Sequence, residues 1–398
     1  MVAVGTLATL LVAGLASLFM AWAIGAGSSG STPFAPAVGA NAISVMRAGF
    51  VVGLLGFLGA VLQGANVTEA VGSELVVGAP LTATAAIVGL ITAAVLVAVG
   101  VFAGYPIATA FTVTGAVVGV GLALGRGPAW AKYQQIATLW VLVPFVGGGI
   151  AYATARFLRN ESIPERLAVP GLAGLVGVIV ANVDFSVLGP AGEAGSLAGT
   201  AAASLPPLDV AGLPVGRVLV SLGVALLIAG LLRYDMTRDR EAGQRHFLLA
   251  LGGLVAFSAG GSQVGLAIGP LLPLLDDVAI PLWAVLVGGG AGLLVGSWTG
   301  APRMIKALAQ DYSSLGPRRS IAALIPSFAI AQTAVFFGIP VSFNEIIVSA
   351  IVGSGYAAGG SGVSAEKMVK TVLAWIGSLV LALGGGYAVF TAVSALLG

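Results

Sequence analysis

Gly104-Tyr105-Pro106-Ile107-Ala108-Thr109 and Gly338-Ile339-Pro340-Val341-Ser342-Phe343 are the two stretches whose reading decides the fold. Each joins an apolar run to a small-residue segment that closes in Val-Gly, at Val118-Gly119 and at Val352-Gly353. A match of this length points to an internal duplication. Two further landmarks fall into register at the same offset of about 235 residues. Ala21 to Ser29 matches Ala256 to Gln263, each the small, polar end of an apolar run. Trp140 matches Trp375, in helices preceded by Lys132 and Lys370 and followed by Gly147 to Gly149 and Gly384 to Gly386.

Outward from these landmarks the chain is strongly apolar. Of 398 residues, 58% are hydrophobic and 8% charged, whereas soluble domains carry about a quarter charged residues. The chain therefore belongs in a bilayer. A formal charge of +2 leaves no footprint for a nucleic acid. With no cysteine and one histidine, disulfide frameworks, thiolate metal sites and imidazole clusters are excluded, and no metal site is expected. Sixty glycines suit close helix packing and interrupted helices in lipid.

Val2 to Ile24 is long enough to cross the hydrocarbon core and lacks the basic start and cleavage site of a signal peptide, so it reads as a retained helix. Further apolar runs bring the total to about a dozen passes. The expected fold is an all-α polytopic membrane protein with two inverted repeats, broken or re-entrant helices and about 10–12 transmembrane segments. The expected division is an N-terminal repeat bundle over 1–160, additional helices and a linker over 161–240, and a C-terminal repeat bundle over 241–398. Seven passes precede the second repeat, and an odd number turns its copy upside down.

Chemistry is expected where the apolar runs are interrupted. Gly25 to Thr32, followed by Pro33 and Pro36, and Gly260 to Gln263 read as polar breaks at membrane depth. Helix N-termini beginning after such breaks aim free N–H groups and a positive dipole end at a common cavity, which suits an anion. Hydroxyls of Ser28, Ser29, Ser31 and Ser262 stand in the breaks, with Thr32 beside them. Ionisable groups in apolar segments are functional candidates, which singles out Glu69 and Glu345 for a coupling ion or proton. Asp276-Asp277 reads as a solvated turn pair. Gly27-Ser28-Ser29-Gly30 has the form of an intramembrane protease serine, but the one base, His246, sits beside a basic loop. The glycine strings lack a nucleotide-loop Lys-Ser/Thr, so no ATP-driven engine is expected.

These residues resemble the PiT family of inorganic phosphate transporters. Its members carry in both halves a Gly-Ala-Asn-Asp-Val-Ala-Asn-Ala-x-Gly-Pro/Thr motif and, later, Leu-Pro-Val-Ser-Thr-Thr-His before a Gly-rich helix. Phe257 to Leu271 keeps the frame of the first motif, and Gly338 to Glu345 and Gly104 to Phe111 follow the second. Trp298 to Arg303 and Gly64 to Glu69 look like the family's loop after the second helix of each repeat. Where the family has Asn-Asp, this chain has Ser262-Gln263 in the second half and Gly27-Ser28 or Ser28-Ser29 in the first. The family aspartates are associated with the coupling ions, so their replacement bears on sodium coupling. Thr109 and Ser342 keep one hydroxyl each of the family's Ser-Thr-Thr, while Asn344 and Glu345 replace Thr and His. The Ser-rich first break also resembles sulfate permeases of the family.

The resemblance implies a secondary active symporter of inorganic phosphate, coupled to Na+ or H+ and working by alternating access, and not an enzyme. Its substrate-binding residues would be Ser28, Ser29, Ser31, Thr109, Ser262, Gln263, Ser342 and Asn344, with Glu345 and Glu69 for the coupling ion or proton. No cofactor is expected beyond that Na+ or H+. The alternatives are a sulfate or related oxyanion permease of the same fold and an uncoupled anion channel. Expected partners are phosphate or sulfate, the lipid bilayer of the cell (plasma) membrane and a second copy in a homodimer.

Overall fold

The computed structural model describes residues 4–78, 80–189, 194–205, 209–210, 213–275, 280–360 and 363–397. They are almost entirely helical, and ten of the helices among them are long and apolar enough to cross a membrane. The first half holds α1 (Val4–Ile24), continued by a π turn over Gly25–Ser29, then α2 (Ala35–Gly39), α3 (Val45–Gln63) and α4 (Ala65–Ser73). It goes on with α5 (Ala83–Ala103), α6 (Thr109–Ala123) and α7 (Trp130–Leu158). Three helices follow: α8 (Glu165–Asn182), α9 (Leu197–Ala203) and α10 (Val215–Arg238). The second half runs through α11 (Arg240–Ile268), a 3-10 turn over Gly269–Leu271, α12 (Leu272–Leu275), α13 (Leu282–Thr299), α14 (Ala301–Gln310), α15 (Pro317–Phe336), α16 (Phe343–Tyr356) and α17 (Ala365–Leu397). The strands are two-residue antiparallel clips, such as Val76–Val77 against Gly127–Pro128, which ties the end of α4 to the start of α7.

Element by element, the second half repeats the first, and the two exchange contacts reciprocally. Trp140 on α7 donates its indole N–H to the Pro340 carbonyl at 3.2 Å, and Trp375 on α17 donates to Pro106 at 2.7 Å. Asn66 on α4 donates to the Val335 carbonyl at 3.5 Å, and Arg303 on α14 to Phe102 at 3.1 Å. A Cβ on Gly119 of α6 would strike the Leu383 carbonyl of α17, and one on Gly353 of α16 the Gly148 carbonyl of α7. Within the halves, Lys132 pairs with Glu74 as Lys367 pairs with Asp311. The partner of Lys132 in the repeat is thus Lys367 and not Lys370, which binds Glu366 one turn away.

The motif that opens each of these exchanges has a local explanation. Gly104 caps α5 at φ +73° and Gly338 follows α15 at φ +59°, both left-handed conformations that favour glycine. Pro106 and Pro340 then keep the chain extended and present bare carbonyls to the two tryptophans. Only after this extended stretch do α6 and α16 begin, at 15 and 14 residues. At 1.5 Å per residue they rise about 20 Å, short of a hydrocarbon core of about 30 Å.

α1 and α11 run antiparallel. Ser17 near the middle of α1 bonds the Ala267 carbonyl late in α11 at 2.9 Å, whereas Phe34 beyond α1 packs on Gly252 early in α11. The starts of α3, α8, α11, α15 and α17 therefore share one end of the bundle, where Glu165 joins Arg240 and Arg318 and Ser320 bonds the Pro36 carbonyl. The ends of α3 and α8 share the other, where Gln63 bonds the Asp184 carbonyl at 2.8 Å. The first end holds all seventeen Lys and Arg except Arg126, Lys132 and Arg217.

One expected break is absent. Gly260 to Gln263 lies inside α11, which stays α-helical from Arg240 to Ile268 and loosens only at Gly269–Leu271, where Pro270 removes an N–H. The small residues serve close approach instead: Gly260 packs on the Gly56 backbone and Gly265 on that of Val67 and Thr68. The break in the first half is real, but it is a π turn followed by a short loop that remains buried.

Candidate functional site

Four segments meet at the centre of the bundle: the π turn after α1, the later part of α11, and the starts of α6 and α16. Gln263 ties them together. Its side-chain oxygen accepts from Thr109 of α6 at 2.7 Å and from Ser28 of the π turn at 3.2 Å. Its nitrogen donates to the Val341 carbonyl just before α16 at 2.7 Å. Asn344 of α16 reaches back across the junction, donating to the Gly27 carbonyl at 2.9 Å and the Ile107 carbonyl at 2.6 Å. All these side chains are buried.

The two helix starts at this junction lack caps. Neither Ala108 at the start of α6 nor Ser342 at the start of α16 gives a side-chain bond to the first turn, so N–H groups and positive dipole ends from both halves face the same point. Among the described residues, nine buried side-chain polar atoms lack a protein partner. Five belong to expected site residues: Ser29 Oγ, Ser262 Oγ, Ser342 Oγ, Asn344 Oδ1 and Glu345 Oε2. Each unpaired buried polar group costs about 1–3 kcal/mol, so these five oxygens call for a partner from outside the protein, a water or an ion.

The structure sorts the remaining candidates. Ser28, Thr109 and Gln263 are in the junction but already bonded to one another. Ser31 is buried nearby, its hydroxyl used on the Ser28 carbonyl at 3.2 Å, as is that of Thr32 at 3.1 Å. Glu69 is not brought in: it is exposed on α4, beside Gly72 and Ser73 in a cavity toward the less basic end. His246 is held by Asp235 at 2.7 Å near the basic end, on the early part of α11 and away from the Ser28-Ser29 turn. Asp276-Asp277 lies outside the described residues.

Sequence reasoning missed the backbone contribution. The carbonyls of Gly27, Ile107 and Val341 are as much part of the junction as any side chain. The sequence signal was present, since Ile107 and Val341 each follow the motif proline that holds the chain out of helix. Ser349, another buried hydroxyl without a partner one turn after Glu345, was also missed because a lone serine in a small-residue helix reads as packing.

Comparisons agree with this architecture. The family model described as "Phosphate transporter family" matches residues 24–385. A Thermococcus kodakarensis protein provisionally named a phosphate permease is 25% identical over 92% of this chain and 93% of its own length. The chloroplastic inorganic phosphate transporter 2-1 of Arabidopsis thaliana is 25% identical over 91% of this chain and 68% of its own. A solved structure titled "The sodium-dependent phosphate transporter" superposes with a TM-score of 0.82 at 21% identity, covering 98% of this chain and 100% of that one. With a bundle of membrane-length helices, a buried polar junction and a family match over most of its length, the chain is an integral membrane protein that belongs to the phosphate transporter family.

Proposed function

We propose that the protein is a secondary active carrier of inorganic phosphate, coupled to a cation and working by alternating access between two inverted repeats, 1–160 and 241–398, with 161–240 as added helices. The observation that carries this reading is the pair of uncapped, buried helix starts facing one another among hydroxyls that have no partner. First-turn N–H groups of α6 and α16, together with Ser29, Ser262 and Ser342, can replace the water around a small oxyanion without a fixed basic residue. Asn344 and Gln263 hold the two starts at the right separation through the Gly27, Ile107 and Val341 carbonyls.

The antiparallel course of α1 and α11 supports inversion, because equivalent crossing helices that run in opposite directions are related by an axis in the membrane plane. Phosphate is favoured over sulfate by the phosphate transporter family match over residues 24–385. The basic end of the bundle would face the cytoplasm. Since the chain has no cysteine, single-cysteine labelling reads this directly: Ser73→Cys should react with an impermeant maleimide on intact cells and Glu161→Cys only after permeabilisation.

The test is uptake of radiolabelled phosphate and of sulfate into proteoliposomes with an imposed sodium gradient, an imposed proton gradient, or neither. Gradient-driven accumulation of phosphate supports the carrier. Accumulation of sulfate alone marks a sulfate permease of the same fold, and equilibration that no gradient can drive uphill marks a channel.

A further inference from the structure

Glu345 lies on a different face of α16 from the residue beside it. Asn344 points into the junction, where it bonds Gly27 and Ile107. The face of α16 that meets α7 is fixed by Ser349 and Gly353: a Cβ on Gly148 would stand 3.2 Å from the Ser349 carbonyl, and one on Gly353 would strike the Gly148 carbonyl. Glu345 precedes Ser349 by four residues and therefore shares that stripe. Both side chains are buried, at 1% and 4% exposure, and both carry an oxygen with no protein partner, Glu345 Oε2 and Ser349 Oγ.

α7 and α16 run parallel here. Trp140 meets Pro340 at one level and Gly148 meets Gly353 at another, which places Pro144 of α7 and Glu345 of α16 both between these two levels. Pro144 has no N–H, so the Trp140 carbonyl loses its intrahelical donor at this depth. Beside it, α7, α15 and α16 enclose an apolar cluster of Val143, Ala334, Ile339, Val341 and Ile346.

We infer that Glu345 and Ser349 form the coupling site of the carrier, that its cargo is a proton, and that it is separate from the junction that takes the oxyanion. The inference rests on the carrier reading above and extends it. A hard metal cation calls for about six oxygen ligands, whereas this stripe offers one carboxyl, one hydroxyl and the Trp140 carbonyl beside an apolar cluster. A proton needs only the carboxyl and an acceptor beside it. Glu345 Oε2, unbonded in this conformation, takes a proton from water when the path opens on one side and returns it to water on the other; Ser349 Oγ, also unbonded here, can accept the O–H once the two side chains turn toward each other along the stripe. In between, the neutral carboxyl can stay at membrane depth without the cost of a bare charge.

Among the described residues, no charged group faces this stripe at its own level. The titratable groups of α7 are Lys132 and Tyr133 toward one end and Tyr152 and Arg156 toward the other. Those of α15 are Arg318 and Arg319 at its start, and the π turn has none. α16 itself adds only Tyr356 at its far end. Lys132 and Arg318 are already paired, with Glu74 and Glu165.

Two readouts separate the inference from the carrier reading. Phosphate counterflow, with phosphate on both sides and no gradient imposed, needs the oxyanion site but no net proton movement. Accumulation under an imposed pH gradient needs both. Glu345→Gln should keep counterflow within about twofold of wild type and lose pH-driven accumulation, because glutamine is a fixed mimic of the protonated state. Ser349→Ala should keep both activities while moving the pH midpoint of accumulation, and it serves where Glu345→Gln fails to fold. Retained pH-driven accumulation in Glu345→Gln overturns the inference. So do loss of counterflow together with accumulation in a folded Glu345→Gln, which would put Glu345 in the oxyanion site, an unmoved midpoint in Ser349→Ala, and wild-type accumulation driven by sodium but not by protons. Wild-type protein that exchanges neither phosphate nor sulfate overturns the carrier reading itself, and this inference with it.

Discussion

The starts of α6 and α16 occupy equivalent places in the two halves and are equipped differently. At α6 the chain offers Ala108, Thr109, Ala110 and Phe111; at α16 it offers Ser342, Phe343, Asn344 and Glu345. Thr109 is fully engaged with Gln263, and Phe111 stacks on Trp140 with ring centres 3.9 Å apart. On the other side Ser342 Oγ, Asn344 Oδ1 and Glu345 Oε2 have no protein partner. The backbone frame is symmetric while the side-chain chemistry is concentrated in the second half. Two equivalent helix ends thus meet at the junction, one with its side chains spent on closing it and the other with polar oxygens that have no protein partner.

The frame itself gives the largest expected effect. Gly119→Leu and Gly353→Leu each drive a side chain into the backbone of a neighbouring helix. Each should cost about 3 kcal/mol or more, since backbone cannot yield as side chains do. Similar losses of folded protein in detergent, read by size-exclusion profile and melting, would sharpen the symmetry, and a loss confined to one would break it.

The next effect concerns chemistry. Ser342→Ala removes a free hydroxyl at the helix start, and a hydrogen bond to a charged group is worth about 1.5–3 kcal/mol. Phosphate KM should therefore rise roughly 10- to 100-fold. Its mirror, Ala108→Ser, should not tighten phosphate binding, because the hydroxyl of Thr109 beside it is already spent on Gln263. A gain in affinity from Ala108→Ser would show that the two ends are chemically interchangeable and would sink the asymmetry.

Thr109→Val should act more weakly, through position and not contact. It removes a donor to Gln263 while Ser28 still supplies another at 3.2 Å. A loss of a few-fold in transport rate with KM nearly unchanged is expected, and a KM effect as large as that of Ser342→Ala would place Thr109 against the oxyanion. Smallest is the tryptophan pair. Trp140→Phe and Trp375→Phe each remove one indole N–H bond, worth about 1 kcal/mol, and should lower the melting temperature to a similar extent.

Much of this was readable before any coordinates. The Gly-x-Pro motif announced itself because a left-handed glycine, a proline and a following small-residue helix leave a local signature that needs no partner. Ser29, Ser262, Ser342, Asn344 and Glu345 stand out as polar in an apolar chain, and each keeps a buried oxygen with no protein partner. Glu69 stands out for the same reason but lies exposed outside the junction, since a carboxylate at the end of an apolar run looks alike in either place. Gly260 to Gln263 misled differently. Small and polar residues permit either a break or a close helix contact, and only the approach of α3 and α4 decides for contact.

The sequence by itself determined the solvent, the matching landmarks of the two halves and the Gly-x-Pro breaks before α6 and α16, because composition, proline and glycine act locally. Tertiary structure alone decided which residues meet. Gln263 joins three segments that lie 78, 154 and 235 residues from it in the chain, and no local rule couples such positions. It also decided that neighbours Asn344 and Glu345 serve different faces of α16, since the turn of about 100° between adjacent helical residues has no meaning until another helix packs on one side.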